Sequence, residues 1–175
     1  MVSLYMIGGT MGVGKTSVCQ QLKKLLPDSV FLDGDWCWDA DPFYVTEETK
    51  EMVMDNICHI LNNFLHCSAY QNVIFGWVMH EQPIIDEILT RLDICNCNVF
   101  CISLMADENN LKRRLEQDIV RGIRTEDIVE QSVSRLPLYQ HLDTIKVDTS
   151  NKTVLETAQE IMEISKEYGP VMGRA

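Results

Sequence analysis

The chain has 175 residues, 46% apolar and 23% charged, a composition that excludes a disordered or fibrous protein and allows about one domain with a full core. Its formal net charge is -11, so the surface as a whole repels nucleic acid and anionic membrane, and an anionic ligand has to be met by local positive groups. No apolar run approaches a membrane span and the N-terminus lacks the basic region and cleavage site of a secretory signal, so the cytoplasm is the expected compartment.

The apolar run Val2 to Ile7 reads as a first strand, and Gly9-Thr10-Met11-Gly12-Val13-Gly14-Lys15-Thr16 follows it. This stretch fits G-x-x-x-x-G-K-[ST], a loop whose backbone N–H groups approach phosphate oxygens where glycines remove the Cβ. A helix opening near Gly14, with apolar Val18, Leu22, Leu25 and Leu26, adds its positive dipole end and is stopped by Pro27. Lys15 is expected to reach the β- and γ-phosphates and Thr16 to hold Mg2+, with Met11, Val13 and Ser17 completing the nucleotide cradle.

Val30-Phe31-Leu32 is a short buried strand closed by Asp33-Gly34-Asp35. Thr46 with Glu47 and Glu48 starts a second helix, whose apolar face Val53, Ile57, Ile60, Leu61 and Phe64 runs to about residue 68. Val73-Ile74-Phe75 is the third strand, ending at Gly76, and a third helix begins near Gln82 with Pro83 in its first turn. Val99 to Leu104 is the fourth strand. Asp107 caps a helix carrying Leu111 and Leu115, Gly122 breaks it, and Thr125 starts another through Ile128, Val133 and Leu136. Ile145-Lys146-Val147 is the last strand. A final helix from about Asn151 runs out at Gly169-Pro170, leaving a frayed tail from about residue 168. Strands that are continuous apolar runs alternating with helices indicate one α/β domain over 1–175, built on a parallel sheet covered on both faces. Ligands of such sheets bind at the carboxyl ends of the strands.

That rim holds the phosphate loop, Asp33, Asp35, Gly76, Trp77 and Asp148. Asp33 and Asp35 stand two apart at a strand end, so alternation puts both carboxylates on one side, with Gly34 clearing space between them. Phosphoryl transfer needs one carboxylate near magnesium and one on the acceptor hydroxyl. Asp33 is assigned to the metal with Thr16, and Asp35 to orienting the acceptor and taking its proton. The other reading of these residues is an ordinary Asp-Gly turn.

Six of the fifteen basic residues, Lys112, Arg113, Arg114, Arg121, Arg124 and Arg135, fall close together in an otherwise acidic chain. Arg121 and Arg124 flank Gly122, where a lid of about residues 113–126 could bring guanidinium groups onto the transferring phosphate. The alternative is a solvated helical face paired with Glu116, Asp118 and Glu126. Between Asp28 and Thr90 the only basic side chain is Lys50, whereas that interval holds Asp33, Asp35, Asp39, Asp41, Glu47, Glu48 and the tryptophans Trp36, Trp38 and Trp77. A pocket formed there suits a neutral or cationic hydroxyl compound held on aromatic faces by Trp36 and Trp77 with Gly76, rather than one that already carries phosphate. His59 and His66 read as ordinary helix residues; His80 stands just beyond the third strand. The seven cysteines are an odd count read as reduced thiols, and Cys95-Asn96-Cys97 lacks the second pair a zinc site needs.

With the loop at 9–16, Leu32-Asp33-Gly34-Asp35, the arginine-bearing segment 111–124 and the turn Val147-Asp148-Thr149-Ser150, the chain resembles small P-loop kinases, the group of nucleotide, shikimate and adenylylsulfate kinases and antibiotic phosphotransferases. The resemblance implies a P-loop NTPase three-layer α/β/α sandwich with a five-stranded parallel sheet in the order 2-3-1-4-5 and a short lid. It implies ATP as donor with Mg2+, Arg114 packing on adenine, and Asp148 and Thr149 in the adenine-edge loop. The chain departs from the pattern at Asp118, where relatives place an arginine, and at Phe75-Gly76-Trp77, which lacks a Walker B acid.

The leading expectation is an ATP- and Mg2+-dependent kinase of a small hydroxyl-bearing acceptor without its own phosphate. Its partners are that molecule alone, with no nucleic acid and no membrane, in a monomer or homodimer. The alternatives are a nucleotide-binding or NTP-hydrolysing regulatory module, or a nucleoside or nucleotide kinase. A GTPase is weaker, because no Asn-Lys-x-Asp motif occurs.

Overall fold

In the computed structural model, residues 1–125 and 127–167 are described. Glu126, Gly169-Pro170 and the expected frayed tail lie outside the described residues. Five strands alternate with helices: β1 (Val2–Gly8), α1 (Lys15–Leu25), β2 (Ser29–Asp33), α2 (Glu47–His66), β3 (Asn72–Gly76), α3 (Gln82–Arg91), β4 (Cys97–Met105), α4 (Glu108–Val120), α5 (Ile128–Gln140), β5 (Ile145–Asp148) and α6 (Val154–Glu167). All the strand pairs are parallel, in the order β2-β3-β1-β4-β5, as the family resemblance implies.

The period-2 alternation of β1 to β4 feeds two separate cores, which is what makes the fold three layers. Leu4, Met6, Val73 and Phe75 face one side, with Ile57 and Leu61 of α2 and Ile85 and Ile88 of α3. Tyr5, Ile7, Ile74 and Ile102 face the other, with Val18 and Leu22 of α1, Leu111 and Leu115 of α4, and Ala158 and Ile161 of α6. α5 serves both cores: Val133 and Leu136 pack on the second, while Tyr139 is buried in the first.

Two helix starts differ from expectation, each because a different side chain does the capping. The last helix begins at Val154, not Asn151, because Thr153 and Glu156 form reciprocal bonds: Thr153 N–H donates to Glu156 Oε2 at 2.8 Å and Glu156 N–H donates to Thr153 Oγ1 at 3.2 Å. α5 begins at Ile128, because the Thr125 hydroxyl is engaged with the Asp127 carboxylate instead of a helix amide. It runs on to Gln140 through Pro137, whose missing donor falls near the helix end. Thr46 caps α2 as expected, in reciprocal bonds with Thr49.

Candidate active site

The phosphate loop joins β1 to α1. Gly12 sits at φ +80 with α4 pressed beneath it, and a Cβ there would lie 2.4 Å from Leu115 Cδ2. Gly14, at φ +104, has open space around it, so conformation alone calls for glycine. It opens α1 with no side-chain cap, and the first turn has no acid. The unbonded amides of Lys15, Thr16 and Ser17 therefore form a ready anion site. Lys15 Nζ folds back on the loop, donating to the carbonyls of Gly9 at 2.9 Å and Thr10 at 3.1 Å. Burial lowers its amine to about 8, against the opposing pull of Asp35 and then Asp33.

The Thr16 hydroxyl donates to Asp33 Oδ2 at 2.8 Å, joining the helix start to the end of β2. A hydroxyl and a buried carboxylate are hard oxygen donors, and they suit Mg2+ bound jointly with nucleotide phosphates. Asp33 Oδ1 accepts from the Asp35 amide at 3.2 Å, capping a single 3₁₀ turn, Gly34–Cys37. That turn, not strand alternation, brings the two acids together, which corrects the sequence-based reason. Gly34 does not separate the carboxylates either. A Cβ on it would stand 2.4 Å from Trp77 Cγ, so the glycine admits the indole. Trp77 and the Asp35 carboxylate line the same cavity, and burial first and the Asp33 charge second push that carboxyl above the ordinary range. Lys15 and Arg124 pull it the other way.

Arg114 on α4 locks the nucleotide side of the rim. It donates to Val13 O at 3.2 Å, Thr149 Oγ1 at 2.9 Å and Thr149 O at 2.6 Å, tying the loop to the turn after β5. The Asp148 carboxylate accepts from Ser150 N at 3.0 Å and Oγ at 2.6 Å, shaping that turn and holding the acid below its usual range. Arg124 pairs with Asp118 at 3.3 Å, and its charge bears on both Lys15 and Asp35. Arg121 caps the end of α4 and is exposed. Arg113 bonds Asn110 at 2.7 Å on an exposed face, as the solvated reading had it.

Next to Asp35 lies a cavity of about 650 Å3 lined by Gly34, Trp38, Phe43, Trp77, His80 and Arg135 among others. Arg135 enters it because Ser132, Arg135 and Tyr139 share one face of α5, and that face meets the phosphate loop: the buried Thr10 hydroxyl donates to Ser132 O at 2.9 Å. The expectation that residues 28–90 alone form the acceptor pocket, with Lys50 as its sole cation, is thus corrected. Arg135 comes from outside that interval and has no ion pair among the described residues. Sequence reasoning counted it only as one of a basic cluster. The available signal was spacing alone: Ser132, Arg135 and Tyr139 recur at three and four residues, a face of α5 separate from the apolar one marked by Val133 and Leu136. The pocket acids are less free than expected: Glu47 pairs with Lys50 at 2.8 Å, and Arg91, the next basic residue after the interval, binds Glu51, Asp55 and Glu87.

Two other assignments move. Trp36 is 61% exposed and stacks edge-on against Phe31, on the outer side of the 3₁₀ turn and off the walls of this cavity. Gly76 is buried beneath α1, where a Cβ would lie 3.1 Å from Cys19 Sγ. Trp77 and Asp35 stay on the pocket wall, and His80 joins them. Burial, then the Arg135 charge, lower the His80 imidazole. His59 and His66 are exposed on α2.

A family model described as "AAA domain" matches residues 6–133. The chain belongs to that family, as a small P-loop kinase. A shikimate kinase of Dehalococcoides mccartyi is 25% identical, with 94% of each chain covered. Among solved structures, this P-loop kinase is similar to a sugar kinase from a Janibacter species, with a TM-score of 0.71, 11% identity and both chains fully covered. It is also similar to a shikimate kinase from Acinetobacter baumannii in complex with shikimate, with a TM-score of 0.63, 21% identity and 97% of each chain covered. Among its described residues, no helix is long and apolar enough to cross a membrane.

Proposed function

We propose that this P-loop kinase transfers the γ-phosphoryl group of ATP to a hydroxyl of a small acceptor that carries no phosphate of its own, in the cytoplasm. The observation that carries this reading is Asp35. It is a carboxylate on the wall of a ligand-sized cavity, without an ion pair among the described residues, yet within electrostatic reach of the phosphate-loop lysine. A second acid at the rim, Asp33, is already engaged with Thr16, so the two carboxylates have separate duties.

Lys15 and the first amides of α1 hold the β- and γ-phosphates. Thr16 and Asp33 would hold Mg2+, which when bound neutralises charge on those phosphates. Asp35 accepts the hydroxyl proton as the acceptor oxygen forms its bond to the γ-phosphorus. The bond from that phosphorus to the β–γ bridging oxygen breaks, and ADP leaves with the electron pair. A raised carboxylate pKa suits this task better than an ordinary one. Arg124, with Arg121 from the same lid, supplies charge to the transferring phosphoryl.

Arg135 revises the acceptor. A single guanidinium is too little for a phosphomonoester but matches one carboxylate, so a neutral or monoanionic alcohol fits better than a cationic one. The test is ADP release with ATP and Mg2+ against polyols, hydroxy acids, amino alcohols and nucleosides. Stimulation by an acceptor lacking phosphate is expected. Slow hydrolysis that no acceptor accelerates would contradict this and favour a regulatory NTPase, and preference for nucleoside monophosphates would contradict the acceptor class.

A further inference from the structure

The acceptor cavity has two kinds of wall. Among the described residues, its polar groups without an ion pair to an Arg or Lys are Asp35, His80 and Arg135, while Glu47, Glu51 and Glu87 are held in ion pairs to Lys50 and Arg91. The rest is mostly apolar, from Trp38, Phe43, Val45, Met54, Trp77 and Ile84. A ring-free polyol or sugar acid has a hydroxyl on nearly every carbon, and each one placed on such a wall loses water without gaining a partner.

The loop at 38–46, between the 3₁₀ turn and α2, carries the most conspicuous part of that wall. Trp38 and Phe43 pack with ring centroids 4.4 Å apart at a 34° tilt. Phe43 is still 56% exposed and Val45 58%, although both line the cavity. Large apolar side chains left in water beside a ligand-sized cavity are covered when a flat apolar body enters it. At about 650 Å3 the space fits a molecule larger than a single small polyol.

We infer that the acceptor is an alcohol built on an aromatic or heteroaromatic ring, with the ring held against Trp38, Phe43 and Trp77 and the hydroxyl delivered to Asp35. This rests on the kinase reading above. Ring chemistry can come from an aryl alcohol, an aryl glycoside or a nucleoside, and matched pairs separate these sources. The probes are 3-phenyllactate against lactate, phenyl β-glucoside against glucose, and uridine against ribose, each scored by kcat/KM for ADP release with saturating ATP and Mg2+.

At least one ring-bearing member is expected to exceed its ring-free partner by about tenfold or more. That ratio should collapse towards one in Phe43→Ala and in Trp38→Ala and persist in Phe43→Tyr, with thermal melts confirming that each variant is folded. The ring-free partner serves as the control within each variant. Turnover of ring-free members as good as that of their partners, or a ring advantage that survives both alanine variants, overturns the inference and leaves the kinase reading standing. Failure of all six probes to accelerate ADP release, together with failure of the ring-bearing three to quench the pocket tryptophans, overturns it as well. Failure of a broad acceptor panel overturns both.

Discussion

Gly34→Ala tests the packing that holds Asp35 in place. The new methyl would lie 2.4, 2.5 and 2.9 Å from Cγ, Cδ1 and Cβ of Trp77, against a comfortable carbon separation of about 3.5–4.0 Å. Because Trp77 Cβ is among the colliding atoms, turning the ring cannot relieve the overlap; the 3₁₀ turn or the end of β3 has to move. Overpacking of this kind costs about 1–3 kcal/mol, offset by about 0.4–1 kcal/mol from the lower chain entropy of an unfolded alanine. A net loss of about 1–2 kcal/mol lowers Tm by about 2–8 °C in a chain of this size. Asp35 is the next residue, and a shift of about 1 Å at a reacting group can cost about 10²-fold in rate. Thermal melts of Gly34→Ala, Trp77→Ala and the double variant form a cycle in which the Gly34→Ala penalty should vanish once the indole is gone. Additive melting losses and an undiminished kcat in Gly34→Ala would refute the idea that the indole and the glycine together place the base.

Other consequences follow from the same contacts. Lys15 is held near 8 by burial, so in the free enzyme the ammonium is charged below that pH and lost above it; kcat/KM for ATP should fall about tenfold per pH unit above about 8. Arg124→Gln removes a charge that lowers both Lys15 and Asp35, so the acid and alkaline limbs of the rate profile should both move to higher pH, and limbs that stay fixed would place Arg124 outside the site. Arg114→Met removes three hydrogen bonds between α4, the phosphate loop and the turn at Thr149, and calorimetry should show ATP binding weakened by at least about tenfold, at roughly 1.5 kcal/mol or more per charged bond. Thr10→Val deletes the buried bond to Ser132 O, which should cost about 0.5–1.5 kcal/mol and lower Tm, because that carbonyl keeps its helix donor and loses its second one.

The fold, and the place of the candidate nucleotide site within it, were legible because both rest on runs that are contiguous in sequence. Residues 9–16 are contiguous, the strand patterns are unmixed, and the Arg114 and Thr149 assignments converge on one set of hydrogen bonds. The acceptor half was harder. Period-2 reasoning carried past Asp33 into a residue that lies on a 3₁₀ turn, reaching a correct neighbourhood for Asp35 by a wrong route. The role of Gly34 depends on an indole 43 positions away, and Trp36 was assigned to the pocket although the turn sends it outward. Arg135 was hidden because α5 has two faces: Val133 and Leu136 marked the apolar one, and only contact with the buried Thr10 shows that the other meets the phosphate loop. The acids at 47, 51 and 87 carry a formal charge that Lys50 and Arg91 partly offset in space, which no local count of charges reports.

The role of Asp35 is tested most directly by acceptor-stimulated ADP release in Asp35→Asn beside the wild type, with ATP affinity measured on the same samples. A general base contributes about 10²–10⁴-fold, so stimulated turnover should fall by that much while ATP binding stays within about threefold. Stimulated turnover in Asp35→Asn equal to that of the wild type would contradict phosphoryl transfer through this carboxylate.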